Sequence, residues 1–219
     1  MMRVSQTIVV AIIVGLASAG FAFWKQASAN DTDMSGKLRS TQADAIFAGG
    51  CFWCVEADFE KLNGVHEAIS GYTGGHVQNP TYKQVSYEDT GHFEAVRVIY
   101  DPSVISYREL VEYFWRHVDP TAPNGQFCDK GDSYRTAIFV ENEEERKIAE
   151  SSKATIEASG VLDKPVVTEI IDQSTFWTAE AYHQNYYKTH TLRYKYYRSN
   201  CGRDRTIRKV WERETAEKH

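Results

Sequence analysis

Positive charge is scarce in this sequence: 25 Lys and Arg stand against 30 Asp and Glu, a formal charge of −5. Phosphate binding needs clustered Lys and Arg, so nucleic acid is excluded as a main partner. Internal repeats and low-complexity blocks are missing, which removes solenoid architectures. Cysteine is sparse, with four in 219 residues, and only Cys51 and Cys54 lie close together. Cys128 and Cys201 stand apart, and His183 has only the distant His190 beside it. A zinc site calls for a second closely spaced pair, so no metal is expected, and thiol chemistry at these cysteines needs no bound cofactor.

What is present suffices for one packed body. Hydrophobic residues make up 42% and charged residues 25%, an ordinary globular balance. Thirteen tyrosines make a Tyr-lined site an option, although packing is the commoner use of this residue. The first 29 residues read as a targeting element. Arg3 precedes an uncharged run over 7–24, and Ala27-Ser28-Ala29 offers a small-residue cleavage site. The run is long enough for either a cleaved signal peptide or an uncleaved membrane anchor. Both place the body outside the cytoplasm, in the periplasm or tethered to the outer face of the inner membrane, where disulfides are tolerated. Without residues 1–29, which hold Arg3, Lys25 and no acid, the net charge is −7. Residues 30–40 are polar and aperiodic, a linker; 41–208 form the folded domain and 209–219 a polar tail.

Within the domain, a short apolar run at 45–48 meets Gly49-Gly50, and a helical pattern follows from Cys51 to Asn63-Gly64. Strands are expected over 65–72, 93–100, 134–140 and 166–171. Helices are expected over 106–117, with Ser106 and Glu109 as a capping pair, and over 143–159 and 178–188. Interleaved helices and unevenly spaced strands indicate an α+β or α/β domain.

The chemistry centres on Gly49-Gly50-Cys51-Phe52-Trp53-Cys54. A cysteine at a helix start meets unpaired N–H groups and the positive end of the helix dipole, which favours a reactive thiolate. Cys54 lies one turn on, within possible disulfide reach. From these residues alone three readings stand beside a thiol enzyme: a structural disulfide, a pair of buried thiols, and a thioredoxin-like disulfide carrier, which also places C-x-x-C at a strand-to-helix junction.

The run Gly49-Gly50-Cys51-Phe52-Trp53-Cys54-Val55-Glu56 resembles the signature of the A-type peptide methionine sulfoxide reductases. The resemblance continues through Ser70-Gly71-Tyr72-Thr73-Gly74-Gly75, Asn79-Pro80-Thr81-Tyr82 and Thr90-Gly91-His92-Phe93-Glu94-Ala95-Val96. It extends through Asp129-Lys130-Gly131-Asp132-Ser133-Tyr134-Arg135-Thr136 to Glu180-Ala181-Tyr182-His183-Gln184, covering roughly 45–190 in the family's order. It implies a two-layer α+β sandwich, ferredoxin-like, with helices packed on a mixed sheet. It also implies reduction of the S epimer of methionine sulfoxide, free or in proteins, with Cys51 as nucleophile, Glu94 as proton donor and Tyr82 and Tyr134 supporting the oxygen. Asp129 would organise the site, and Phe52 and Trp53 would wall the substrate's S-methyl group. His183 reads as a structural histidine.

Oxygen transfer leaves a sulfenic acid on Cys51, and a second thiol must condense with it. Cys54 is favoured as the resolving thiol because it is one turn away, whereas Cys201 sits in what reads as a loose tail. Cys201 stays open as direct resolver or second relay. Cys128 has no assigned role: it is either inert or paired with Cys201. Export implies a thioredoxin-type reductant outside the cytoplasm. The rival readings are a disulfide oxidoreductase without sulfoxide chemistry and an exported binding protein that has lost catalysis.

Overall fold

Alternation along three strands sorts their side chains onto two faces of one sheet. Strand β1 (Ala43–Gly49) sends Ala45 and Phe47 one way, Ile46 and Ala48 the other; β3 (Phe93–Tyr100) divides Val96, Val98 and Tyr100 from Phe93 and Ala95; β6 (Thr136–Val140) divides Ile138 and Val140 from Ala137 and Phe139. The computed structural model describes residues 42–212. The targeting segment and linker read over 1–40 therefore lie outside the described residues, as does the end of the tail. Among the described residues no helix is long and apolar enough to cross a membrane.

The sheet has six strands in the order β7-β6-β1-β3-β2-β8, where β2 is Val65–Thr73, β7 Glu169–Asp172 and β8 Trp177–Thr178. All pairs are antiparallel except β6 with β7, which makes the sheet mixed, as expected for the α+β sandwich. Helices α1 (Phe52–Phe59), α3 (Tyr107–Trp115) and α4 (Glu143–Ser159) cover the face bearing Phe47, whose ring lies 4.9 Å from Phe59 and 5.3 Å from Phe114. A fourth helix, α2 (Tyr82–Tyr87), follows β2. A separate two-stranded ribbon, β4 (Gly125–Gln126) and β5 (Asp129–Lys130), precedes a single 3₁₀ turn, Asp132–Tyr134.

Helix starts follow their caps. Ser106 and Glu109 exchange both bonds of a capping box ahead of α3, and Asn142 accepts from the N–H groups of Glu144 and Glu145 ahead of α4. The helix expected over 178–188 does not form. Trp177–Thr178 pairs with β2, Ala181–His183 makes one 3₁₀ turn, and only Tyr186–Thr189 (α5) is helical. Tertiary bonds override the local pattern. The Gln184 side chain bonds to both the N–H and the carbonyl of Ser70, and the Asn185 N–H, in a left-handed conformation (φ 53°), donates to the Glu56 carboxylate.

The segment around Cys201, read as a loose tail, is helical: α6 (Thr191–Cys201) and α7 (Arg203–Val210), broken at left-handed Gly202. Spacing explains its order. Tyr194, Tyr197, Arg198 and Cys201 fall at i, i+3, i+4 and i+7, one helical face. Arg198 bonds Asp58, Asp204 and the Tyr194 hydroxyl. Arg203, 2% exposed, donates to the carbonyls of Gly49 and His117. Trp211, within the stretch read as polar tail, is buried and donates its indole N–H to Val118.

Candidate active site

β1 delivers the chain through Gly49 and Gly50 to α1, and the passage tolerates no side chain at Gly50. Its φ is +81°, and an added Cβ would stand 2.6 Å from Gln126 Cβ. Cys51 is the N-cap residue of α1, its carbonyl accepting from the N–H groups of Cys54 and Val55. The N–H of the next residue, Phe52, donates to Glu94 Oε2 at 3.0 Å. That bond carries the Glu94 carboxyl across from β3 to the start of α1. Alternation explains why Glu94 can arrive there: it shares parity with Val96, Val98 and Tyr100, the face that the helices cover.

A cavity of about 70 Å³ opens at this point, lined by Cys51, Phe52, Trp53, Tyr82, Glu94, Asp129, Tyr134 and Tyr197. The seven expected nucleophile, acid, hydroxyl and wall residues are thus brought together from five parts of the chain. Tyr82 is set by a capping box between Thr81 and Gln84 and by Glu180, which accepts from the Tyr82 N–H and the Tyr72 hydroxyl. Tyr134 stands in the 3₁₀ turn and lines the cavity with Glu94 and Tyr82. Phe52 is buried, and the Trp53 ring stacks on Tyr186 at 3.8 Å. The Trp53 indole N–H donates to His183 Nδ1, the structural use expected of that histidine.

Tyr197 is the lining residue that motif reading missed. Its hydroxyl donates to Asp129 Oδ2 at 2.5 Å, and its side chain lines the cavity with Cys51. The helical spacing of 194, 197, 198 and 201 is the signal that places it on an inward face.

Burial decides the protonation of the site. It pushes Glu94 from 4.5 up to about 8, against the Phe52 N–H bond that favours the carboxylate and with Asp129 adding to the rise. A carboxyl held neutral can donate a proton near neutral pH. Burial likewise raises Tyr82 and Tyr134, which stay protonated donors. Cys51 departs from the expectation of a ready thiolate. Desolvation, the hydrogen bond with Cys54 and the neighbouring acids push its thiol up, so burial outweighs the helix start. Cys54 moves the other way: the shared hydrogen bond draws it down, aided by the Arg203 and Arg198 guanidiniums.

Cys54 is buried one turn from Cys51, and both are free thiols. Cys201 does not line the cavity. It closes α6 and is disulfide-bonded to exposed Cys128, one of the two alternatives open for that residue. Among the described residues, Cys128, Asp129 and Cys201 form the one compact group with metal-ligand atoms, and its two sulfurs are bonded to each other.

A family model described as peptide methionine sulfoxide reductase matches residues 43–215. The chain is 56% identical over 150 residues to a peptide methionine sulfoxide reductase MsrA of Streptococcus agalactiae, covering 68% of this chain and 89% of that protein. It is 52% identical over 168 residues to an MsrA of Listeria innocua, covering 77% and 95%. Among solved structures, methionine sulfoxide reductase A of Corynebacterium diphtheriae superposes with a TM-score of 0.62 at 30% identity, covering 69% of this chain and 76% of that one. Reduced Mxr1 of Saccharomyces cerevisiae gives 0.61 at 30% identity, covering 69% and 87%.

Proposed function

The chain belongs to the peptide methionine sulfoxide reductase family, and from that premise we propose which groups carry the reaction. The observation that carries the assignment is the neutral, buried Glu94 carboxyl held beside Cys51 in a cavity otherwise walled by aromatic rings and Asp129. The Cys51 sulfur attacks the sulfoxide sulfur, and negative charge moves onto the oxygen. Glu94 supplies a proton there, while the Tyr82 and Tyr134 hydroxyls donate to it. Phe52 and Trp53 hold the S-methyl group, and Asp129 orders the wall opposite. The net step turns a thiol and a sulfoxide into a sulfenic acid on Cys51 and methionine. A disulfide carrier has no use for such a proton donor, which is what separates the two readings.

Cys54 then condenses with the sulfenic acid, forming the Cys51–Cys54 disulfide and releasing water. Two features support it as resolver: its place beside Cys51 in one buried cluster and the cationic side chains that favour its ionisation. Cys201, with its sulfur already bonded to Cys128, is the second choice. One equivalent of methionine (S)-sulfoxide, given without reductant, is expected to yield one methionine and a Cys51–Cys54 linkage in the peptide mass map. A Cys51–Cys201 linkage with an unmodified Cys54 would overturn the assignment of the resolver, and no methionine at all would overturn the roles given to the site. The (R)-sulfoxide is expected to remain unchanged.

The uncharged run over 7–24 and the Ala27-Ser28-Ala29 site support export, with repair of oxidised proteins outside the cytoplasm as the task and a thioredoxin-type dithiol there as reductant. N-terminal sequencing of the mature chain decides between cleavage, which begins it at Asn30, and a retained anchor.

A further inference from the structure

Two walls of the cavity are joined covalently at a point outside it. Asp129 belongs to β5, in a ribbon separate from the main sheet; Tyr197 belongs to α6. Cys128 directly precedes Asp129, and Cys201 lies one turn beyond Tyr197 on the same helix face. The Cys128–Cys201 disulfide therefore ties the main chains that carry both residues, with Cα atoms 4.9 Å apart. The two sulfurs flank the Asp129 carboxylate at 3.7 Å and 3.8 Å, and the Cys128 N–H donates to Cys201 Sγ at 3.1 Å. Beyond the tie, the ribbon meets the C-terminal helices through the Asp129–Tyr197 hydrogen bond and through Phe127, whose ring lies 4.8 Å from the Arg203 guanidinium carbon.

We infer that the Cys128–Cys201 disulfide is a positioning clamp for the oxygen-transfer step: closed, it holds Asp129 against Tyr197 and keeps both in the cavity wall beside Cys51. Cys128 and Cys201 are positioning residues, since neither lines the cavity. Opening the clamp takes two electrons from an external dithiol, which becomes a disulfide as the two cysteines become thiols. Cys128 is exposed, so such a reductant can reach the bond. The oxygen-transfer step then slows when the surroundings are reducing enough to open the clamp, while turnover still needs a dithiol to reduce Cys51–Cys54. The inference rests on the reading of Cys51 as the reacting thiol.

A relay makes the opposite prediction. If Cys128 and Cys201 passed electrons to the Cys51–Cys54 disulfide, the four-thiol protein would release two methionines, the first at an unchanged rate.

The test compares the full chain in two states, one with Cys128–Cys201 closed and Cys51 and Cys54 free, the other fully reduced and freed of reductant. Both states are verified by mass, and the first methionine release is followed by rapid quench at saturating substrate. The clamp predicts a first release about tenfold slower from the four-thiol form, in keeping with the sensitivity of bond-making steps to displacements of about 1 Å. Cys128→Ser and Cys201→Ser should show the slow rate in both states. In an Asp129→Asn background, opening the clamp should slow release less than twofold, because the effect travels through that carboxylate. Equal first-release rates in the two states, or a full tenfold effect persisting with Asp129→Asn, would overturn the clamp while leaving the reductase intact. Absence of methionine from either state would instead remove the reading on which the clamp depends.

Discussion

Cys51→Ser is expected to lower methionine formation by at least about 10⁴-fold, to the uncatalysed background, because the hydroxyl cannot accept the oxygen as the sulfur does. The fold should survive. The side chain is 6% exposed, and the backbone bonds that start α1 come from the residue-51 carbonyl, which the substitution keeps. Loss of activity with an unchanged thermal transition, followed by circular dichroism, is therefore the expected pair of results. Cys54→Ser should differ in kind: the first methionine still forms, and turnover then stops for want of a resolving thiol.

Glu94→Gln is expected to slow the oxygen-transfer step by about 10²- to 10³-fold, the range for losing a positioned acid. The amide keeps an oxygen to accept the Phe52 N–H, so geometry should be preserved. The pH dependence identifies the proton. Burial lifts the Glu94 carboxyl from 4.5 to about 8, so it carries its proton below about 8 and loses it above. Ionisation of Cys51, pushed upward, contributes its own rising limb in both proteins. The ratio of wild-type to variant rates should be largest below pH 8 and shrink as pH passes through about 8, where ionised Glu94 no longer donates a proton and its charge holds the Cys51 thiol higher. A ratio constant from pH 6 to 10 would exclude Glu94 as the donor. Stability follows the same group with a definite sign. The native state binds more protons between pH 4.5 and about 8, so the contribution of Glu94 is most favourable below 4.5 and declines as pH rises to about 8. Glu56, lifted to about 7 chiefly by burial, acts in the same direction over a narrower window.

Much of this was legible where a single local rule governs. The alternation over Phe93–Tyr100 marks a strand because one face packs under helices, and Ser106 with Glu109 marks a helix start because the pair satisfies orphan N–H groups on its own. Gly49-Gly50 ahead of Cys51 marks the strand-to-helix junction, since positive φ and the approach of Gln126 admit nothing larger at Gly50. Glu94 needed the family motif to stand out, although its parity with Val96 and Val98 already assigned it to the covered face. The misreadings come from long-range interactions. The helix expected over 178–188 is undone by bonds from Gln184 and Asn185 to residues more than a hundred positions away. The thiol expected to ionise at a helix start is held protonated by burial, which depends on the whole fold. Tyr197 lay in a segment too polar to suggest a core-facing helix, and only the one-face spacing of 194, 197, 198 and 201 hinted at its place.

The central claim is that the Cys51 sulfur receives the substrate's oxygen, and trapping that oxygenated sulfur tests it most directly. Cys54→Ser protein with Cys128–Cys201 closed would be mixed with one equivalent of methionine (S)-sulfoxide and a dione that reacts with sulfenic acids. One methionine released per chain, with the adduct on the Cys51 peptide alone, is the predicted result. Methionine released with Cys51 unlabelled and still a free thiol would contradict the account.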